Sequence, residues 1–230
     1  MMRRILAIFL SLCLVPLPVR AEETKYVALT FDDGPSGRYT RQLLDGLQER
    51  DVKATFFLCG YRVKEYPDIA RRIFDEGHEI GCHGYSHKSM KTMSRRDIAR
   101  EIMNTHSLLP EGCVSKLLRP PGGCCSDGVR QVAEARQLAI ISWSVDPKDW
   151  EIRDAAAIER AVLKRVKDGD IVLLHDMTAS SVRAALNIVD ALVEKGFEPV
   201  TVSQLAKLRN VRMKPGNTYT AFPPKKENVK

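Results

Sequence analysis

The chain has 230 residues, of which 44% are hydrophobic and 28% charged, so it is long and apolar enough to form a globular domain with its own core. Its net charge is +7, but residues 1–21 hold three arginines and no acid, and residues 209–230 hold six basic residues and Glu227. Residues 22–208 therefore carry 7 − 3 − 5 = −1. This balance excludes a basic, nucleic-acid-binding surface on the fold itself.

The first predicted element is a signal peptide at residues 1–21. Arg3 and Arg4 precede an apolar run at 5–17 that is short for a membrane span, and the small or apolar residues before Glu22 fit cleavage after Ala21. These features predict a secreted, cell-wall-associated protein. If the segment stays uncleaved, it would anchor the chain in a membrane instead.

Strands and helices then alternate along the chain. Apolar runs rich in strand-forming residues predict seven strands, at 26–31, 54–58, 79–82, 116–118, 139–145, 171–174 and 199–202. Helical spacing predicts helices at 40–50, 69–74, from the Ser94 cap onward, and at 129–138, 155–166 and 184–194. This order predicts an α/β fold with a parallel sheet covered on both faces, either open and doubly wound or a barrel. The strand count favours a distorted, incomplete (β/α) barrel.

One domain, residues 22–208, accounts for these elements. Residues 209–230 are rich in proline, lysine and asparagine without an apolar period, which predicts a disordered basic tail. The tail could also be attracted weakly to an anionic cell wall or membrane surface. Five cysteines remain after cleavage, and an odd number leaves at least one free thiol. We expect a monomer.

The chemically capable residues stand where predicted strands end. In parallel α/β folds, sites form at the carboxyl ends of the strands. Asp32 and Asp33 follow the first predicted strand, and His83 and His87 follow the third. Arg119 follows the fourth strand, Asp146 and Asp149 follow the fifth, and His175 and Asp176 follow the sixth. Their positions predict one shared site.

His83 and His87 are four residues apart, which would place both imidazoles on one face of a helical turn. Together with Asp33 they would form a set of two histidines and one carboxylate that leaves positions open for water or substrate. This set suits a catalytic Zn²⁺, and also Co²⁺, iron or manganese. A closed structural zinc site would need a fourth protein ligand.

Five short segments resemble, in order, the five motifs of the polysaccharide deacetylases, carbohydrate esterase family four, with the NodB homology domain. They are TFDDGP at 30–35, HGYSH at 83–87, RPPGG at 119–123, DPKDW at 146–150 and LLHD at 173–176. The resemblance implies a distorted (β/α) barrel and a secreted metal-dependent hydrolase that removes N-acetyl groups from aminosugar residues of a polysaccharide.

The resemblance and amide chemistry together imply an acid and a base on either side of the reacting carbonyl. Asp32 would accept a proton from the attacking water, and Arg119 would hold Asp32 ionised and oriented. His175 would protonate the departing amine. Asp149 would orient His175 and raise its pKa, with Asp146 as a second candidate for that role.

The remaining motif positions would shape the substrate pocket. The N–H of Gly122 would stabilise the oxyanion, while Trp150 and Leu173 would wall the acetyl group. Two positions depart from the family: Gly84 stands where serine or threonine is usual, and Gly122 where an aromatic residue is common. Asp33, rather than asparagine, favours the metal-binding branch.

The sequence leaves the polymer open. Peptidoglycan N-acetylglucosamine is the first expectation, and chitin or chitooligosaccharides fit the same chemistry. An acetylxylan-type O-acetyl esterase would need the same site with an easier leaving group. A non-catalytic carbohydrate-binding protein is the alternative from another class, although the expected acid, base and ligands are all present.

Overall fold

The structure, a computed structural model, describes residues 24–225. The predicted signal peptide at 1–21 and the last five residues of the predicted tail lie outside the described residues. Within residues 24–225, no helix is both long enough and apolar enough to cross a membrane. The five cysteines in this part of the chain are all free.

Strands and helices alternate as predicted, with one extra strand and two extra helices. The strands are β1 (Lys25–Asp32), β2 (Thr55–Leu58), β3 (Glu79–Cys82), β4 (Leu117–Leu118), β5 (Ala139–Ile141), β6 (Ile171–His175), β7 (Phe197–Val200) and β8 (Thr218–Tyr219). The helices are α1 (Tyr39–Glu49), α2 (Gly60–Glu65), α3 (Pro67–Asp75), α4 (Arg95–His106), α5 (Asp127–Ala135), α6 (Ala155–Leu163), α7 (Ala179–Glu194) and α8 (Val202–Leu208). The predicted strand at 139–145 is shorter than expected.

The strands form one parallel sheet in the order β6-β1-β2-β3-β4-β5-β8, and β7 pairs with the first half of β1. Ala28 pairs with both Ile171 of β6 and Val200 of β7, so these strands lie on opposite sides of β1. This arrangement confirms the predicted incomplete barrel of parallel strands. Beyond the end of β5, Val145 bridges to Val172 and narrows the gap in the barrel.

Alternation along β1 sends successive side chains to two different cores. Val27, Leu29 and Phe31 pack in the large cluster that the outer helices cover. Ala28 packs in a second cluster with residues of β2, β4, β5 and β6, which is the barrel interior. Because side chains alternate with a period of two, Asp32 falls on the interior side as well, and it is buried there.

The prediction that residues 209–230 are disordered is wrong for the part that the structure describes. β8 pairs with β5, and Ala221 bridges Asp170 just before β6, so this segment links the two edges of the sheet. Phe222 is buried and stacks on Tyr219 with ring centroids 5.4 Å apart. Four scattered apolar side chains, those of Val211, Met213, Tyr219 and Phe222, pack on the interior cluster without forming a periodic run, which explains why the composition suggested disorder.

Candidate active site

Parallel pairing brings the candidate residues to one level at the carboxyl end of the sheet. Asp32, the last residue of β1, lies in register with His175, the last residue of β6. β3 and β4 end in register, so His83 and Arg119, which directly follow them, leave the sheet side by side. Most of the predicted shared site is therefore present as a spatial cluster, whereas the carboxylate of Asp176 is buried, accepts from the hydroxyl of Thr40 and does not line the cavity.

Asp33, His83 and His87 offer three ligand atoms that lie within 4.8 Å of one another. Oδ1 of Asp33 is 3.3 Å from Nε2 of His83 and 2.9 Å from Nε2 of His87. Ligand atoms bound 2.0–2.1 Å from a tetrahedral ion would be about 3.3 Å apart, so the cluster has nearly the dimensions of a metal site. Asp33 and His87 both have positive φ angles, of 75° and 57°, a conformation that costs free energy and is concentrated at functional sites.

The protonation of His83 supports a cation at this point. Its Nδ1 lies 2.6 Å from the carbonyl oxygen of Arg119, which can only accept, so Nδ1 carries the proton and Nε2 presents a lone pair. Oδ1 of Asp33 is buried and accepts no well-directed hydrogen bond. Two electron-rich atoms thus face each other in a buried place, and a cation between them would relieve that arrangement. Burial opposes ionisation of Asp33, but protonated imidazoles at His83 and His87 would outweigh burial and hold the pKa of this carboxyl far below its usual range, and a metal cation held by the same atoms would act in the same direction.

The prediction that His83 and His87 share a face of a helical turn is wrong. The segment between them is an irregular loop, in which Gly84 has a φ of 78° and His87 a φ of 57°. The imidazoles approach across this loop, with ring centroids 5.2 Å apart. The four-residue spacing correctly predicted that the two imidazoles lie close together. An irregular loop, and not a helical turn, brings them together.

Arg119 fixes the position of Asp32 inside the barrel. Its guanidinium is fully buried, and Nη1 donates to Oδ1 of Asp32 at 2.6 Å and to Oγ1 of Thr30 at 2.9 Å. Nε and Nη2 donate to main-chain carbonyls at and just beyond the end of β5. Oδ2 of Asp32 is 3.7 Å from Nε2 of His83. One carboxylate oxygen is thus bound to arginine, and the other lies beside the candidate metal cluster.

His175 lies on the other side of the cluster and is held by Asp149. Oδ1 of Asp149 accepts from Nδ1 of His175 at 2.8 Å, and its Oδ2 accepts from the main-chain N–H of the same residue at 2.8 Å. Burial lowers the pKa of His175, but Asp149, with Asp32 and Asp33, outweighs burial and raises it to about 9. Asp146, the second candidate for this role, accepts instead from the N–H of Lys148 at 2.7 Å.

A cavity of about 400 Å³ opens over these groups. Trp150 is 54% exposed at its rim, and the buried Leu173 forms part of its wall. Gly122 also lines it, and a Cβ built on this residue would meet no atom within 4 Å, so the missing aromatic side chain leaves open space. Trp143 lines the same cavity and was not among the predicted residues. Its place two residues beyond β5, ahead of Asp146, is the signal that could have indicated it.

Comparison with known proteins identifies the class that this fold and site define. A family model described as polysaccharide deacetylase matches residues 20–141. The peptidoglycan-N-acetylglucosamine deacetylase PgdA of Listeria monocytogenes is 37% identical over 193 residues, which are 83% of this chain and 41% of the relative. A peptidoglycan-N-acetylglucosamine deacetylase of Bacillus cereus is 37% identical over 192 residues, covering 81% of this chain and 90% of the relative.

Solved structures agree with this result. A family 4 acetyl xylan esterase from Clostridium thermocellum, solved with a cobalt ion, superposes with a TM-score of 0.81 at 34% identity, covering 86% of this chain and all of the other. The chain belongs to the polysaccharide deacetylase family. It spans 41% of the length of the Listeria relative, and the family match ends before Asp149 and His175.

Proposed function

We propose that this protein is a metal-dependent deacetylase that hydrolyses N-acetyl groups on aminosugar residues of a polysaccharide, with peptidoglycan N-acetylglucosamine as its first substrate. One observation carries the proposal: the three-residue cluster of Asp33, His83 and His87 lies in one cavity with Asp32 on one side and His175 on the other. Hydrolysis of an amide needs a base, an electrophile and an acid around one carbonyl, and the cavity offers all three places.

The residues that would hold the ion are Asp33, His83 and His87, and we propose Zn²⁺, with Co²⁺ as a substitute. A divalent ion held there supplies an acidified water and polarises the acetyl carbonyl. Only three protein ligands lie in the cluster within the described residues, which is the composition of catalytic zinc sites.

Asp32 is placed to act as the general base. Its Oδ2 faces the cluster while Arg119 binds Oδ1, so the carboxylate can accept a proton without turning. The buried guanidinium, which also bonds Thr30, holds the carboxylate of Asp32 in this orientation.

His175 is placed to act as the general acid. Asp149 accepts from Nδ1, which leaves Nε2 directed to the cavity, 4.0 Å from Oδ2 of Asp33. With a pKa raised to about 9, the imidazole is protonated at neutral pH and can give its proton to the departing amine nitrogen. Such a group contributes on the order of 10²–10⁴-fold to the rate.

A second candidate function is O-acetyl ester hydrolysis, which the structural similarity to an acetyl xylan esterase favours. The same groups would serve, but an alkoxide leaves more readily than an amine anion, so His175 would matter less. The substrate panel below separates the two functions.

We also propose that the protein is secreted and that its signal peptide is cleaved after Ala21. N-terminal sequencing of the protein recovered outside the cell tests this step, with Glu22 as the expected first residue. A protein that is recovered only in membranes and begins at Met1 would contradict it.

The function is tested by measuring acetate release from peptidoglycan, N-acetylglucosamine oligomers and acetylxylan by the metal-loaded protein. We expect release from an aminosugar polymer, and the faster of the first two substrates identifies the polymer. Release from acetylxylan alone would assign the esterase function. Absence of release from all three, with the ion bound, would contradict catalysis and favour a binding role.

A further inference from the structure

The loop between the two histidines of the candidate metal cluster is held by hydrogen bonds from two sides. The carbonyl oxygens of Gly84 and Tyr85 accept from the N–H groups of Gly60 and Tyr61, at 2.9 and 3.0 Å, and so tie the loop to the start of α2. In these two hydrogen bonds the loop contributes main-chain carbonyl oxygens as acceptors. The N–H of Gly84 donates to Sγ of Cys82, while the donors of Tyr85 and Ser86 point towards α4.

A single carboxylate on α4, that of Glu101, satisfies those donors. Its Oε2 accepts from the main-chain N–H of Tyr85 at 2.8 Å and from that of Ser86 at 2.7 Å. Its Oε1 accepts from Oγ of Ser86 at 2.9 Å. Three hydrogen bonds therefore converge on one side chain, and its removal would leave two main-chain N–H groups and one hydroxyl without their acceptor.

The contact with Glu101 is important because residue 84 of the loop is a glycine. Gly84 has no side chain and therefore no hydroxyl with which to bond its own loop. A Cβ on Gly84 would lie 3.4 Å from Oε2 of Glu101 and 2.9 Å from Cε of Met90, so the carboxylate lies directly beside this position. The loop therefore depends on a group from another element for its conformation.

The conformation of the loop matters because His83 and His87, two of the candidate metal ligands, lie at its ends. His83 precedes it and is 2% exposed, whereas His87 follows it with a side chain that is 43% exposed and has few other contacts to place it. The positive φ of His87 has an energetic cost that the surrounding contacts must offset. Glu101 binds two of the three residues between them, Tyr85 and Ser86, and so restrains the distance between the imidazoles.

We propose that Glu101 is a positioning residue that preorganises the His83–His87 loop for the metal ion, so that its hydrogen bonds set the affinity for the ion. This inference rests on the metal site of the proposed function. Groups that orient metal ligands in this way commonly change metal affinity or activity by about 10–100-fold when removed. Glu101 touches neither the ion nor the substrate cavity, so it acts through the loop alone.

The test compares Zn²⁺ dissociation constants, measured by competition with a chelator, for the wild type and the variants Glu101→Ala, Glu101→Gln and Asp97→Ala. We expect Glu101→Ala to bind Zn²⁺ about 10–100-fold more weakly. Glu101→Gln should stay within a few-fold of the wild type, because the amide oxygen can accept both N–H groups and its NH₂ can donate to the Ser86 hydroxyl. Asp97→Ala removes a carboxylate from the same helix that contacts only Ser94 and Arg100, and it should not change the affinity.

Turnover as a function of Zn²⁺ concentration distinguishes positioning from general stabilisation, and a second variant replaces Glu101→Ala if that variant does not fold. Turnover of Glu101→Ala should fall at limiting Zn²⁺ and return towards the wild-type kcat when Zn²⁺ is in excess. If Glu101→Ala does not fold, Ser86→Ala removes only the bond to Oε1, and we expect it to weaken Zn²⁺ binding about 2–10-fold, as for one lost hydrogen bond.

The inference is overturned if Glu101→Ala, or Ser86→Ala in its place, binds Zn²⁺ as tightly as the wild type. It is also overturned if Glu101→Gln loses as much affinity as Glu101→Ala, because charge rather than hydrogen bonding would then be responsible. If the wild type itself binds no Zn²⁺, the metal site of the proposed function fails, and this outcome is distinct from either of the first two.

Discussion

Arg119 and Asp32 form an ion pair that is almost completely removed from water. The guanidinium is fully buried and the carboxylate is 3% exposed. Removing one partner of such a pair leaves the other charge buried without compensation, which is more costly than replacing both.

We therefore predict that Arg119→Ala lowers the free energy of unfolding by about 3–5 kcal/mol and abolishes turnover. In the double variant Arg119→Ala/Asp32→Ala, part of the stability should return while turnover stays absent, because the unpaired carboxylate has been removed. Urea unfolding of the metal-free proteins measures the difference. A double variant that is as unstable as Arg119→Ala would contradict the prediction.

We expect His175 to set the pH dependence of the proposed reaction. Its pKa is raised to about 9 because the charges of Asp149, Asp32 and Asp33 outweigh its burial. A general acid works in its protonated form, so activity should be present below this pKa and lost as pH rises through it. A divalent ion held by Asp33, whose Oδ2 is 4.0 Å from Nε2 of His175, would move the loss of activity to somewhat lower pH.

We predict that Asp149→Asn shifts the alkaline limb of the profile of kcat/KM against pH to lower pH, since the amide removes the negative charge and keeps only one of the two acceptor oxygens that His175 uses. Asp146→Asn is the matched control, because Asp146 makes no hydrogen bond with His175. It should leave the position of the limb unchanged. An alkaline limb that moves equally in both variants, or in neither, would show that His175 is not the acid.

At the scale of the elements, Gly169 couples the C-terminal segment to the barrel. Its N–H donates to Tyr26 on β1, and its carbonyl accepts from the N–H of Phe222, both at 2.7 Å. A Cβ on Gly169 would come closer to the carbonyl oxygen of Phe222 than real Cβ atoms approach other atoms. The residue also has a φ of 90°, so glycine is needed here for two separate reasons.

We predict that Gly169→Ala lowers the free energy of unfolding by roughly 2 kcal/mol or more beyond Gly196→Ala, since only the first substitution displaces the C-terminal segment. Gly196 has a φ of 76° but nothing within 4 Å of a Cβ, so its variant pays only the strain, about 1 kcal/mol. Chemical denaturation measures both variants. Equal losses would mean that the segment contributes nothing to the stability of the barrel.

How far the sequence predicts an element depends on how its residues are buried. β1 and β6 are covered on both faces. Strands of this kind are nearly continuous apolar runs, so the sequence predicts them directly. β8 has two residues and depends on pairing with β5, so no local pattern marks it. The loop from His83 to His87 was expected to be helical because spacing alone does not reveal positive φ angles at Gly84 and His87.

The candidate site was predictable as a set of residues, and its arrangement was not. Asp32, Asp33, Arg119 and His175 follow strands, so the rule for carboxyl ends brings them together without knowledge of any contact. The assignment of Asp149 rather than Asp146 to His175 depends on a turn that sequence does not specify. Trp143 and Glu101 were missed because their roles come from tertiary contacts with other elements.

For the whole molecule, an ion at the cluster should stabilise the folded state, since the unfolded chain does not hold Asp33, His83 and His87 together. We predict that Zn²⁺ at 100 times its dissociation constant raises the free energy of unfolding by about 2.7 kcal/mol. For a protein of this size that corresponds to a thermal midpoint about 5–10 °C higher.

Asp33→Ala at the same Zn²⁺ concentration should show little of this increase. Asp190→Ala is a suitable control, because among the described residues this exposed carboxylate pairs with Arg50 and belongs neither to the metal cluster nor to the cavity lining. It should keep the full increase. If Asp33→Ala gained as much stability from Zn²⁺ as the wild type, the ion would bind elsewhere.

The most direct test of the account is acetate release by the metal-stripped protein during titration with Zn²⁺, using the aminosugar polymer that the substrate panel identifies. We expect no release after stripping, and turnover that rises in proportion to bound Zn²⁺ up to one ion per chain. Undiminished release by protein that demonstrably contains no metal would contradict the central claim that Asp33, His83 and His87 hold the ion on which deacetylation depends.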